Sequence, residues 1–118
     1  MKEKVFCDVK RSTYNRVIKE ERPGFEYDFI FSQMLSTCRM QTYLLTLLPK
    51  STSKTTITDG FVFKFIIHGR CEYHIGDEVI TLNEGDSLFF DASKPHMPVN
   101  KSKGKVTMLV FYFIRTDE

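Results

Sequence analysis

Along most of this chain, apolar side chains come in short runs cut by turn-forming residues, and no window repeats convincingly at the 3.6-residue period of a helix. The segment FEYDFIFSQM (25–34) alternates, whereas MQTYLLTLLP (40–49) is a longer apolar run closed by Pro49. Further runs are TYNRVIKE (13–20), FVFKFIIH (61–68), RCEYHI (70–75), EVITL (78–82), SLFFD (87–91), MPVNK (97–101) and KVTMLVFYFI (105–114). Gly69, Gly76–Asp77, Glu84–Gly85 and Lys103–Gly104 punctuate them. Turn signals every ~8–12 residues predict an all-β sandwich or barrel. Gly76 can adopt the positive φ of a tight hairpin between 70–75 and 78–82. STSKTTITDG (51–60) reads as a polar loop or weak strand, and residues 1–12 as an N-terminal arm or linker remnant. Residues 13–118 form a single barrel domain, the expected size for one core.

The period of two also assigns faces. In the strand 61–68, Val62, Lys64 and Ile66 share one face, and Phe61, Phe63, Phe65 and Ile67 share the other. A lysine facing a barrel interior is costly unless it meets a carboxylate, meets an anionic ligand or snorkels to the mouth. The aromatic row needs a cover, either a second copy of the chain or the N-terminal strands of the same copy. The run 106–114 is apolar on both faces, as a central strand should be.

Composition narrows the function. A net charge of +2 with dispersed lysines shows no nucleic-acid surface. No window reaches the roughly 18 apolar residues of a membrane span, and the N-terminus has no apolar secretory core. Cys7, Cys38 and Cys71 are odd in number and form no CxxC pair, so they predict free thiols in a cytoplasmic protein.

The stretch GDSLFFDASKPHMPVN (85–100) carries a more specific signal. Gly85 is followed by five residues, the turn Asp91-Ala92-Ser93, two residues, His96, three residues and Asn100. This order resembles the second motif of the cupin superfamily, with Asp-Ala-Ser in place of its Pro-x-Gly turn. The resemblance spans roughly residues 40–115 and implies a double-stranded β-helix, or jelly roll. The family's first motif, two histidines and a glutamate ahead of a hairpin glycine, is not kept. With Gly69 as that glycine, the glutamate position falls on Val62 and the histidine positions on Thr56 and Thr58, or on Thr55 and Ile57. Valine has no donor atom and neutral threonine hydroxyls compete poorly with water, so of the metal ligands the resemblance implies, only His96 is left. His68, Glu72 and His74, assigned to one hairpin, are expected to face solvent.

Within the superfamily the chain looks most like the sensor domains of helix-turn-helix regulators. RVIKEERPGF (16–25), the Asp-Ala-small-x-Pro-His turn and a last strand ending near FYF carry that likeness. Residues 1–24 contain no pair of helices around a tight turn, so this chain is not expected to bind DNA directly. The expectation is a metal-free domain, without a cofactor, that binds a small ligand and forms a homodimer. An anion is the ligand class that Lys64 and His96 together suit. His96, Lys64 and Tyr73 are the candidate polar contacts, with Val62, Ile66, Phe90 and Met97 as apolar wall. The competing reading is a small cupin enzyme, an oxygenase or isomerase, using a non-standard site around His96.

Overall fold

The computed structural model of the chain describes residues 5–18 and 21–116. Nine strands make it up: β1 (Asn15–Ile18), β2 (Phe25–Met34), β3 (Cys38–Leu47), β4 (Gly60–His68), β5 (Cys71–Ile75), β6 (Glu78–Leu82), β7 (Ser87–Asp91), β8 (His96–Val99) and β9 (Val106–Arg115). They form a six-stranded sheet in the order β1-β2-β3-β9-β4-β7 and a three-stranded sheet in the order β6-β5-β8. Neighbouring strands run antiparallel. This is the all-β architecture the turn spacing predicts, in the jelly-roll form that the cupin resemblance implies. Among the described residues no helix is long and apolar enough to cross a membrane.

Alternation decides what is buried. On β4, Val62, Lys64 and Ile66 point inward and are buried, while Phe61, Phe65 and Ile67 are exposed. The inner faces of both sheets supply one core that includes Tyr27, Leu45, Leu47, Val62, Ile66, Tyr73, Phe90, Met108 and Val110. The central position of β9, between β3 and β4, explains why its run is apolar on both faces. On the outer face of the larger sheet, Phe61 stacks on Phe89 with ring centroids 5.5 Å apart. The short N-terminal strand β1 pairs edge to edge with β2 and leaves that row uncovered.

Several boundaries differ from the sequence expectation. β1 is four residues long, not eight, and residues 19–20 lie outside the described part. Residues 51–59 form a loop whose one bridge pairs Thr56 with His96. Of the arm, residues 1–4 are not described, residues 5–10 are mostly exposed, and Arg11–Thr13 form a 3-10 turn. β8 starts at His96 rather than Met97. Gly69, with φ 92°, does not close a hairpin. It is a corner where the chain leaves the larger sheet for the smaller, and a Cβ there would lie 2.7 Å from the Lys105 carbonyl oxygen. His68 and the pair Glu72–His74 therefore belong to different sheets. The hairpin at Gly76 is as expected, with φ 55° and Ile75 opposite Glu78.

Candidate functional site

Lys64 sits in the middle of the larger sheet's inner face, between Leu88 on β7 and Val110 on β9. It is only 4% exposed. Its Nζ lies 4.7 Å from the centre of the Tyr73 ring on β5, in the opposing sheet. Among the described residues no carboxylate forms an ion pair with it. Burial, and secondarily the Arg22 guanidinium, pull its pKa down from 10.5 to about 7, with the Cys71 thiol a smaller opposing influence. Near neutral pH the amine is thus shared between its charged and neutral forms.

Tyr73 is fully buried, and its hydroxyl has no hydrogen-bond partner. Burial, first of all, raises its pKa well above the ordinary phenol value, so the hydroxyl stays protonated. Buried polar groups are usually satisfied, so an orphan hydroxyl on a cavity wall marks a place where a ligand atom fits.

His96 opens β8 and is 6% exposed. Its backbone exchanges hydrogen bonds with Thr56, at 3.0 and 3.1 Å, which pins the 51–59 loop against the smaller sheet. Nδ1 donates to the Lys94 carbonyl at 2.8 Å, because a carbonyl only accepts, and Nε2 remains as an acceptor. Phe90 meets the ring edge-on at 4.9 Å. Desolvation lowers the His96 pKa below 6.5, with the cations Lys64 and Arg22 adding to the effect against the Lys94 hydrogen bond. The imidazole is therefore neutral at pH 7. The pairing of Lys64 with His96 as a positive pole needs correction: the second cation is Arg22.

These groups border one cavity of about 360 Å³. Lys64, Tyr73, His96 and Pro98 line it from the strands, Thr56, Ile57 and Thr58 from the loop, and Glu21 and Arg22 from the turn before β2. Arg22 Nη1 donates to the Tyr27 hydroxyl at 2.6 Å and lies over the Phe25 ring, 5.7 Å from its centre. Tyr27, Tyr43 and Tyr112 add an aromatic wall with phenols at the surface of the cavity. Of the sequence candidates, His96, Lys64 and Tyr73 are brought together. Val62, Ile66 and Phe90 belong to the core and not to the cavity lining, and Met97 points to the opposite side of β8 from His96 and Pro98. Sequence reasoning missed Arg22 and the three tyrosines. Tyr27 and Tyr112 could have been found by extending the period of two from buried neighbours, but nothing local says that the Arg22 turn covers the barrel mouth.

Of the positions the resemblance assigns to metal ligands, Thr56, Ile57 and Thr58 line the cavity, Thr55 does not, and Val62 lies in the core. Among the described residues no group of three His, Cys, Asp or Glu side chains is placed to hold a metal ion. Glu72 and His74 pair with each other at 3.2 Å on the outer side of β5, Lys101 joins Glu72 at 3.2 Å, and exposed His68 meets Glu84 at 3.4 Å. Neither histidine turns toward His96.

Solved structures with this architecture include the cupin domain of an XRE-family transcriptional regulator from Enterobacter cloacae. It is 22% identical with a TM-score of 0.60, over 67% of this chain and 83% of that one. A predicted oxalate decarboxylase from Thermotoga maritima is 19% identical with a TM-score of 0.70, over 92% and 99% of the two chains. A polyketide cyclase from Streptomyces resistomycificus is 12% identical with a TM-score of 0.75, over 92% and 80%. At these identities the likeness is one of fold. No protein of curated function matches the sequence. The sequence model of the family described as Cupin domain matches residues 43–112. Since that match takes in more than half of the chain, including Val62, Lys64 and His96, the protein belongs to the cupin family.

Proposed function

We propose that this cupin is a binding domain for a small anion, held in the barrel without a metal, in the manner of the sensor half of a transcription regulator. The observation that carries the reading is Lys64: a buried amine on a cavity wall, beside a second cation and, among the described residues, in no ion pair with a carboxylate. An unpaired buried lysine costs stability, and an anion entering the cavity supplies the missing countercharge. Arg22 contributes a permanent charge and planar N–H donors suited to a carboxylate or phosphate. Tyr73 offers an O–H donor and His96 an acceptor. The likeness in fold to a regulator's cupin domain supports this reading. Three free cysteines are in keeping with a reducing cytoplasm. The exposed row Phe61, Phe65, Ile67 and Phe89 favours a homodimer through the outer face of the larger sheet.

Calorimetric titration with acetate, succinate and phosphate from pH 6 to 9 tests the reading. Binding to the protonated amine raises its pKa, so affinity should fall by about tenfold per pH unit well above pH 7. Equal binding by Lys64→Met, or no binding of any of the three by the wild type, overturns it.

A further inference from the structure

We propose that Lys64 is a nucleophile that forms a reversible imine with the carbonyl of a small 2-oxo acid. The inference rests on the anion-binding reading above and assigns the class of anion. Its basis is geometric: a primary amine 4% exposed lines a cavity of about 360 Å³, and among the described residues no carboxylate forms an ion pair with it. The same cavity is bordered by a guanidinium, Arg22, and by a buried phenol, Tyr73, whose hydroxyl has no partner. A lysine desolvated beside another cation is how amines are activated toward carbonyls, because the free base is the reactive form. The lowered pKa of about 7 supports this, leaving a substantial neutral fraction at neutral pH. The groups facing Lys64 are Cys71 and Tyr73 on β5, His96 on β8, Tyr112 on β9, Tyr27 on β2, and Glu21 and Arg22 in the turn before β2. Cys71, with its pKa pushed up to about 11, is neutral, as are the tyrosines and His96. Glu21, exposed at the rim, and Arg22 are the charged members.

A 2-oxo acid matches this set better than a simple carboxylate. Arg22 takes the carboxylate and leaves the adjacent carbonyl carbon for Lys64. The Nζ lone pair forms the C–N bond while the carbonyl π pair moves to oxygen, which takes a proton from the Tyr73 hydroxyl. His96 Nε2 accepts one proton from the nitrogen and delivers it to the hydroxyl, which departs as water, and the second nitrogen proton returns to the Tyr73 oxygen to leave the neutral imine. The amine's two hydrogens and the carbonyl oxygen leave together as that water, and no electrons are gained or lost. Once protonated, the imine restores a positive charge next to the bound carboxylate.

Cyanoborohydride trapping with pyruvate and with phenylpyruvate at pH 7, followed by peptide mapping, tests the assignment, with calorimetry of lactate as the carbonyl-free control. A reduced adduct confined to the Lys64 peptide, absent in Lys64→Met, is the expected result. Tyr73→Phe should slow trapping on the order of a hundredfold, a loss far larger than the drop in lactate affinity that removing its O–H donor causes; a trapping rate that falls only in step with lactate affinity refutes the proton-donor role. If both oxo acids leave no Lys64 adduct while pyruvate and lactate bind alike, imine formation is refuted and the anion site stands. If none of them binds or reacts, both readings fall. Adducts spread over exposed lysines at rates equal to Lys64 also refute it.

Discussion

Replacing Lys64 by methionine should stabilise the protein, and the gain should depend on pH in a defined way. In the folded chain the amine releases its proton near pH 7, whereas in the unfolded chain it holds it to about 10.5. Between those limits the unfolded state binds more protons, so the lysine's contribution to stability rises with pH by about 1.4 kcal/mol per unit. Below pH 7 both states are protonated, the slope vanishes and the full cost of burying the charge is present. Over the interval from 10.5 to about 7 that cost amounts to roughly 5 kcal/mol. Methionine has a comparable length, carries no charge and suits an irregular apolar gap. The advantage of Lys64→Met is therefore greatest below pH 7 and shrinks as pH rises. Urea unfolding of both proteins at intervals from pH 6 to 9.5, without added anions, measures it. Tyrosines and cysteines titrating at the upper end are common to both proteins and largely cancel in the difference. A difference that stays flat from pH 7.5 to 9.5 would falsify the reasoning, because it would mean that Lys64 is solvated or paired.

Asn100 is fully buried and its Nδ2 donates to the carbonyls of Leu47, Leu48 and Gly104 at 3.1, 3.1 and 2.8 Å, while Oδ1 accepts from Ser102. Asn100→Ala strands buried carbonyls, so denaturant unfolding should show a loss of about 2–4 kcal/mol; a loss below about 1 kcal/mol refutes this role. Phe89→Glu puts a charge into the outer aromatic patch, where Phe89 is 60% exposed; sedimentation should show a dimer for the wild type and a monomer for the variant, with unfolding stability little changed. A wild-type monomer at the same concentration rejects that interface. After incubation with iron, manganese, nickel or zinc and desalting, elemental analysis should find far less than one metal per chain. Near-stoichiometric metal that vanishes in His96→Ala would instead favour the enzyme reading.

What could be read from the sequence followed the period of two. The strands β2, β6 and β7 have the boundaries their alternation and flanking turns indicate, and the inward set Val62, Lys64 and Ile66 comes from the same rule. Such information is local, since each residue's face depends only on its neighbours. The site is not local. Arg22 reaches the cavity from a turn, and its placement depends on where that turn passes over the opposing sheet. His96 could be named because its spacing from Gly85 and Asn100 is a linear pattern, but its charge state could not. That state follows from burial and from two cations that join it only in three dimensions. Met97 shows the limit from the other side: beginning β8 at Met97 rather than His96 obscured that His96 and Pro98 share the inner face.

The departures from the family's first motif and the presence of Lys64 are two aspects of one electrostatic arrangement. A divalent metal in a barrel would give an anionic ligand its countercharge and would need donors that carry lone pairs or negative charge. Where the resemblance implies such donors, the chain has Val62 and either Thr56 with Thr58 or Thr55 with Ile57, and Lys64 lies two residues from Val62 on the same face of β4. A carboxylate at position 62 would face that same interior and offer Lys64 a partner; valine does not. The amine is left desolvated, half titrated near neutral pH and next to Arg22. A dication entering this cavity would meet those cations and, among the described lining residues, one carboxylate, Glu21 at the rim, whereas an anion would meet countercharge and donors. Val62→Glu separates the two cases. The new carboxylate should pair with Lys64, return its pKa toward the ordinary amine range and abolish anion binding by neutralising the pocket. If Val62→Glu still binds phosphate or acetate as the wild type does, the charge of Lys64 is not what selects the ligand, and the site must be assigned to Arg22 alone.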